Sequence, residues 1–271
     1  MPSRIEITTP TNLNNELNSE IRFRSTLVNE NYVENKLLKE FLSETLGMYF
    51  FVLLSLGNVA IYVLFPESKI TWDGVAISWG LNLMFGIYLA SFNSSGHLNP
   101  CVSMCVYIFD RSMTFTQLCL YSLAQLVGAF LASVTVYGIY YNNIKLLDDK
   151  SASSIFTTYK NDSITTTSAF FTEFIGTALL VGGIFAIIKN KETTKHIPIY
   201  VGLLLTSIVL SFGWQSAFAL NPARDFGPRI FMAMLGFDTF SFSDYYFWVP
   251  LVADYCGAIF GVLVFNTINR D

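Results

Sequence analysis

Two short stretches place polar and charged side chains where the surrounding sequence is apolar: His97-Leu98-Asn99-Pro100-Cys101 and Asn221-Pro222-Ala223-Arg224-Asp225-Phe226-Gly227-Pro228-Arg229. Each Asn-Pro pair reads as a helix start. Asn caps a helix N-terminus well, and Pro at the first helical position gives up an N–H that has no partner there anyway. A helix N-terminus carries unpaired N–H groups and roughly half a positive charge. Two such ends facing each other make a centre that repels cations, while the Asn99 and Asn221 amides can donate to a neutral molecule. A water held there turns its oxygen toward both amides and cannot easily relay a proton through the centre. The chemistry on offer is passage of neutral molecules, with no bond made or broken. Glu44 and Glu173 lie in apolar runs without a partnering base or nucleophile. They read as acceptors for loop N–H groups that would otherwise stay unsatisfied. His97 reads as a loop organiser in the same sense. Arg224 is a cation in apolar surroundings and must be paired or wetted. Asp225 and Arg229 stand at i and i+4 with the acid first, the favourable order, and read as a structural pair holding a neighbouring loop.

The elements that would position these groups are apolar runs. The chain has 271 residues, 52% hydrophobic and only 13% charged, which marks a multi-span membrane protein rather than a soluble domain. Spans are predicted at about 40–64, 73–92, 114–140, 168–188, 198–213 and 246–266. Each Asn-Pro pair starts a helix too short to cross: about 10 residues at 1.5 Å is roughly 15 Å, against a ~30 Å hydrocarbon core. The second, ending near Leu235, reaches about half to two-thirds of the way. The order is span, span, half-helix, span, twice over. Glu44 with Gly47 recurs as Glu173 with Gly176. An odd number of spans per copy inverts the second copy, the plan of inverted-repeat transporters.

The predicted organisation is a polar N-terminal segment 1–37, a membrane domain 38–266 and a short tail 267–271. The domain divides into repeat one (38–141), a loop (142–166) and repeat two (167–266). The first segment is expected to be a flexible cytoplasmic tail up to its last turn, with no cleavable signal peptide before the first span. Within it, Arg22-Phe23-Arg24-Ser25-Thr26 reads either as a kinase site or as solvated chain. The long loop carries the sequon Asn161-Asp162-Ser163. Lys and Arg concentrate on the side of the N-terminus, which predicts that both termini are cytoplasmic. The four cysteines read as small buried residues, and two histidines cannot support a His/Cys metal cluster. No metal, cofactor or catalytic constellation is predicted, and the lack of a basic stripe argues against nucleic acid.

The paired Asn-Pro motifs, Glu–Gly in spans one and four, Ser-Gly-His-Leu-Asn-Pro and Asn-Pro-Ala-Arg together resemble the major intrinsic protein family of aquaporins and glycerol facilitators, over about residues 40–266. The resemblance implies an all-α, aquaporin-like fold: six transmembrane helices plus two re-entrant half-helices in inverted repeats. It implies central motifs at Asn99, Pro100, Cys101 and at Asn221, Pro222, Ala223, with Glu44, His97, Glu173, Asp225 and Arg229 supporting the loops. By offset from the Asn-Pro pairs it puts the selectivity filter at Trp79, Val209, Phe218 and Arg224. Read alone, Trp79 and Phe218 fit core or lipid-facing aromatics better than a filter. With Arg224 they form a surface for a polyol, two ring faces for its carbons and a guanidinium for its hydroxyls. Asp225 after the Arg, and Pro250-Leu251, look like the glycerol branch. Val209 departs from it, since Gly is common there, and is expected to narrow the passage or push Phe218. Cys101 replaces Ala and is expected to face the pore and confer partial sensitivity to thiol reagents. Asp254 stands where Pro or a small residue is usual, which leaves a contact role and a regulatory role open.

The expected function is a passive channel for water and small uncharged solutes such as glycerol, excluding protons and ions. It is not an enzyme. The resemblance implies a homotetramer in lipid, with the plasma membrane the expected location. A coupled small-solute transporter and a closed-pore junction protein are the competing classes.

Overall fold

In a bilayer core no water pairs with the backbone, so an apolar run has to satisfy its N–H and C=O groups within itself, and each one here folds as a helix. The computed structural model describes the backbone of residues 10–269 and the side chains of residues 35–269. The chain divides into two units, residues 1–39 and 40–271. Six helices are long and apolar enough to cross a membrane. They are α1 (Pro10–Leu64, its apolar part Asn35–Leu64), α2 (Trp72–Ala90), α4 (Phe115–Ile139), α7 (Thr166–Lys189), α8 (Ile197–Ser216) and α11 (Trp248–Ile268). Between α2 and α4 lies α3 (Pro100–Cys105), prolonged by a π-helical turn over Val106–Asp110. Its counterpart between α8 and α11 is α9 (Pro222–Met234).

Three departures from the expected elements have local causes. Helix α1 is assigned from Pro10, where a flexible tail was expected. No Gly or Pro interrupts the chain from Thr11 to Leu46, so nothing in that stretch breaks a helix. Arg22, Arg24, Ser25 and Thr26 have side chains outside the described residues, as do Arg4 and Arg270. The expected loop 142–166 holds two short helices, α5 (Tyr141–Ile144) and α6 (Asp149–Phe156). Asp148 caps α6 by accepting from Ser151 N at 3.0 Å, and Ile155 and Phe156 are buried. A four-residue turn, α10 (Phe242–Tyr245), precedes α11 with positive φ at Ser243 and Asp244. Among the cysteines, Cys101 and Cys105 are buried, but Cys119 and Cys256 are exposed on their spans.

The repeats pack through backbone-to-backbone contacts that only glycine allows. A Cβ on Gly80 of α2 would lie 2.4 Å from Gly202 O of α8, and one on Gly202 would lie 2.6 Å from Gly80 O. Within repeat two, a Cβ on Gly257 would lie 2.2 Å from Phe174 O, and one on Gly261 would lie 2.1 Å from Ala178 O. These are approaches of α11 to α7 in which backbone meets backbone, the close crossing that small residues permit in membranes. Gly257→Val is therefore expected to push α11 off α7 at a cost of about 3 kcal/mol, the upper end of ordinary overpacking. A lowered thermal unfolding midpoint in detergent checks this; an unchanged midpoint would count against the packing described.

Candidate functional site: a pore with two half-helices at its centre

Both re-entrant loops are held by one buried carboxylate each. Glu44 Oε1 accepts from His97 N and Ser94 Oγ, both at 2.9 Å. Its Oε2 accepts from Leu98 N at 2.9 Å and from Gln125 Nε2 at 2.8 Å. Glu173 Oε1 accepts from Ala219 N at 3.0 Å, and Oε2 from Leu220 N at 2.9 Å. The glycine three positions later makes room for the leucine that precedes the Asn. A Cβ on Gly47 would lie 2.9 Å from Leu98 Cδ2, and one on Gly176 would lie 2.6 Å from Leu220 Cδ2. The loops need this support because Leu98, Ala217, Phe218 and Leu220 all have positive φ, between 44° and 56°. For non-glycine residues that conformation costs roughly 1–2 kcal/mol apiece.

The loops also hold each other. Asn99 Oδ1 accepts from Cys101 N at 2.9 Å, and Asn221 Oδ1 accepts from Ala223 N at 3.1 Å and Arg224 N at 3.3 Å. Each amide nitrogen then crosses to the other repeat. Asn99 Nδ2 donates to Leu220 O at 2.8 Å, and Asn221 Nδ2 donates to Leu98 O at 2.7 Å. An amide has two N–H groups, so one remains on each Asn for a molecule in the pore. Both Asn side chains border an elongated cavity of about 60 Å³, with His97, Val102, Ile87, Leu180, Ile184 and Val201 along its walls. His97 Nδ1 lies 3.1 Å from Ser103 Oγ, which also accepts from Gln125 Nε2 at 3.2 Å.

Trp79 and Phe218 also line the cavity. Their rings meet edge to face, with centroids 5.0 Å apart and planes at 90°. The Arg224 guanidinium carbon lies over both, 4.2 Å from the Trp79 centroid and 5.2 Å from that of Phe218. At that separation the cation touches the indole, so a molecule crossing here must part them. Arg224 Nε and Nη1 and Trp79 Nε1 have no hydrogen-bond partner. Trp79 and Phe218 border the cavity, whereas Val209 and Arg224 do not. Val209 is fully buried, and its Cγ1 would lie 3.0 Å from a Cβ on Gly213. The Phe218 and Trp72 rings crowd the same glycine. Val209 thus backs the aromatic cluster instead of narrowing the cavity wall.

Cys101 is likewise off the wall. It is fully buried, and the groups whose charges act on it are Asp254 and Cys256 of α11 and Cys105 of its own helix. The next residue, Val102, takes the pore-facing position. The expectation of a pore-facing thiol fails because one step along a helix turns a side chain by about 100°. Sequence reading also missed Gln125 and Thr158. Thr158 donates from both N and Oγ1 to Asp225 Oδ1 at 2.7 Å. Arg229 grips Asp225 from Nε and Nη2, both at 2.9 Å, and donates to Thr158 O at 2.8 Å and to Thr239 O. This buried clamp ties α9 to the segment after α6 and to the approach to α10. Neither polar partner carries a sequence signal, since each is an ordinary residue in a loop or span.

The motif geometry has its counterpart in known proteins. A family model described as major intrinsic protein matches residues 31–265. The chain belongs to the major intrinsic protein family. It is similar to Aquaglyceroporin-3 of Trypanosoma brucei brucei, 35% identical over 84% of this chain and 78% of that protein. It is also similar to human Aquaporin-9, 34% identical over 86% of this chain and 83% of that one. Among solved structures, the aquaglyceroporin from Plasmodium falciparum matches with a TM-score of 0.78 at 32% identity, over 86% of this chain and 97% of that one. As a member of the major intrinsic protein family the chain is an integral membrane channel, and it is not an enzyme.

Glu173→Leu is expected to leave Ala219 N and Leu220 N unpaired, at about 1–3 kcal/mol each. Reconstituted protein should lose both thermal stability and solute flux; retention of full flux would show that the carboxylate does not hold the loop. Cys101 is expected to resist membrane-impermeant mercurials in the folded protein and to react after denaturation, as read by mass spectrometry. Modification of the native thiol would return it to the pore wall.

Proposed function

We propose that the pore passes water and small polyols such as glycerol down their gradients and excludes protons and ions. The observation that carries the reading is the corner formed by Trp79, Phe218 and Arg224. Two perpendicular rings offer apolar faces to a carbon chain, while unpaired N–H groups on Arg224 and Trp79 face no protein acceptor. A polyol has both features, carbons on one edge and hydroxyls on the other. Its cost of entry is the parting of Arg224 from Trp79, which hydroxyls accepting from the guanidinium would offset. At the centre, the remaining N–H of Asn99 and of Asn221 donates to a passing oxygen. The N-termini of α3 and α9 oppose a cation there. Relatives named aquaglyceroporins support the inclusion of polyols among the permeants.

On this reading Trp79, Phe218 and Arg224 form the selectivity filter, with Val209 as its backing. Asn99, Pro100, Cys101, Asn221, Pro222 and Ala223 form the two central helix starts. Glu44, His97, Glu173, Asp225 and Arg229 support the loops. The protein is a homotetramer in lipid, one pore per subunit, in the plasma membrane with both termini cytoplasmic. The orientation rests on Lys36, Lys39, Arg111, Lys189, Lys191 and Lys195 against Lys69, Lys145, Lys150 and Lys160 on the opposite side. Coupled transport and a sealed junction are not favoured.

Stopped-flow light scattering of proteoliposomes tests the permeants. Water and glycerol are expected to equilibrate much faster than in protein-free vesicles, with no accumulation driven by proton or sodium gradients. Absence of accelerated swelling, or gradient-driven uptake, would refute the channel reading. Because Val209 lies behind the rings, Val209→Gly is expected to leave the glycerol-to-water ratio close to that of the wild type. A large rise in that ratio would put Val209 back in the filter wall.

A further inference from the structure

The two repeats support their loops with the same carboxylate but complete its shell differently. In repeat one, Gly128 of α4 packs on Thr45 O, the residue after Glu44; in repeat two, Gly257 of α11 packs on Phe174 O, the residue after Glu173. Three positions before each glycine stands a fully buried polar residue, Gln125 in one case and Asp254 in the other. They are therefore counterparts under the inverted repeat. Gln125 Nε2 donates to Glu44 Oε2 at 2.8 Å. Asp254 takes the corresponding place beside Glu173, bonded to Thr177 one turn further along α7, yet as a carboxylate it has nothing to donate. Its Oδ1 accepts from Thr177 Oγ1 at 3.2 Å, and its Oδ2 has no partner.

Two bare carboxylates side by side and fully buried repel each other, and one of them takes a proton instead. The surroundings offer no other remedy. The ionisable groups whose charges reach Asp254 are Glu173 on α7, Asp225 and Arg224 on α9, Cys101 on α3, and Tyr246 and Tyr255 beside or on α11. The cation among them, Arg224, leaves Nε and Nη1 unpaired and is engaged with the Trp79 and Phe218 rings. Glu173 already accepts from Ala219 N and Leu220 N, so it is the ionised member.

We propose that Asp254 is a positioning residue held as the neutral carboxylic acid, donating its proton to Glu173 as Gln125 donates its amide N–H to Glu44. A proton thereby takes the place of an amide in the second repeat, and the loop bearing Phe218 and Asn221 depends on it. The effect on flux rests on the channel reading above, whereas the proton itself does not.

Infrared difference spectroscopy at neutral pH and flux of proteoliposomes test this together, with Asp254→Asn and Asp254→Leu beside the wild type. The wild type should show the carbonyl stretch of a buried protonated carboxyl, and Asp254→Asn should lose it. Flux should stay near wild type in Asp254→Asn, whose amide still donates, and fall several-fold in Asp254→Leu. No protonated band, or a band unchanged in Asp254→Asn, would overturn the proposal. So would flux as low in Asp254→Asn as in Asp254→Leu, or undiminished in Asp254→Leu. Should Asp254→Leu fail to fold, the infrared band and the Asp254→Asn flux still decide. A wild type that shows the band but carries no flux would sink the channel reading and leave the proton in place.

Discussion

A chain that turns back inside a bilayer must pair its loop N–H groups without water, and here two carboxylates meet that demand. Each takes two consecutive backbone N–H groups of a loop whose φ angles are strained, His97 and Leu98 on Glu44, Ala219 and Leu220 on Glu173. The leucine of each pair also supplies the carbonyl that the opposite Asn grips. An unbroken series of contacts therefore runs from Glu44 through Leu98 to Asn221, and from Glu173 through Leu220 to Asn99. Neither Asn can move without disturbing the other repeat's loop. This reciprocity fixes the remaining amide N–H of each Asn beside the cavity.

The symmetry ends at the first turn of the half-helices. Helix α3 has Val102 and Ser103 where α9 has Arg224 and Asp225. The charges on α9 come as a set. Arg229 is fully buried and would be costly alone, but Asp225, Thr158 O and Thr239 O surround it with acceptors. The clamp leaves Arg224 without a carboxylate of its own, since Asp225 is occupied by Arg229 and Thr158. Its guanidinium is then available to the aromatic rings. The placing of Arg224 thus depends on a buried ion pair one turn further along the helix.

Much of this was legible in the sequence. Two Asn-Pro starts, the Glu–Gly pairs and the six apolar runs fix the order of elements, because each is a local signal with one physical reading. Asp225 and Arg229 could be paired from i,i+4 spacing, though not their shared partner Thr158, 67 residues from Asp225, nor Thr239, which bonds Arg229 from 10 residues away. The facing direction of single side chains was less accessible. Cys101 and Val102 are adjacent and both small enough for a pore wall, and helix rotation alone decides between them. Val209 was placed by a sequence offset that says nothing about the Gly213 one turn on, which gives its methyl groups somewhere else to go. The helix over residues before Lys36 was hidden by polarity, which reads as a tail even where no residue breaks a helix.

The repeats also meet at the cluster of Trp79, Phe218 and Arg224. Phe218 and Arg224 come from repeat two, but Trp79 comes from α2 in repeat one. Its neighbour Gly80 sets where the indole falls, because α2 meets α8 backbone to backbone at Gly80 and Gly202. A larger residue at Gly80 would meet Thr206 Oγ1 and Gly202 O and lift α2 away from α8. The indole would leave the edge of Phe218 and the face of Arg224 together, since those contacts rest on the same helix separation. On the proposed reading, the glycine contact between inverted repeats therefore positions the filter although it touches no permeant: how closely two backbones approach decides where the side chains stand.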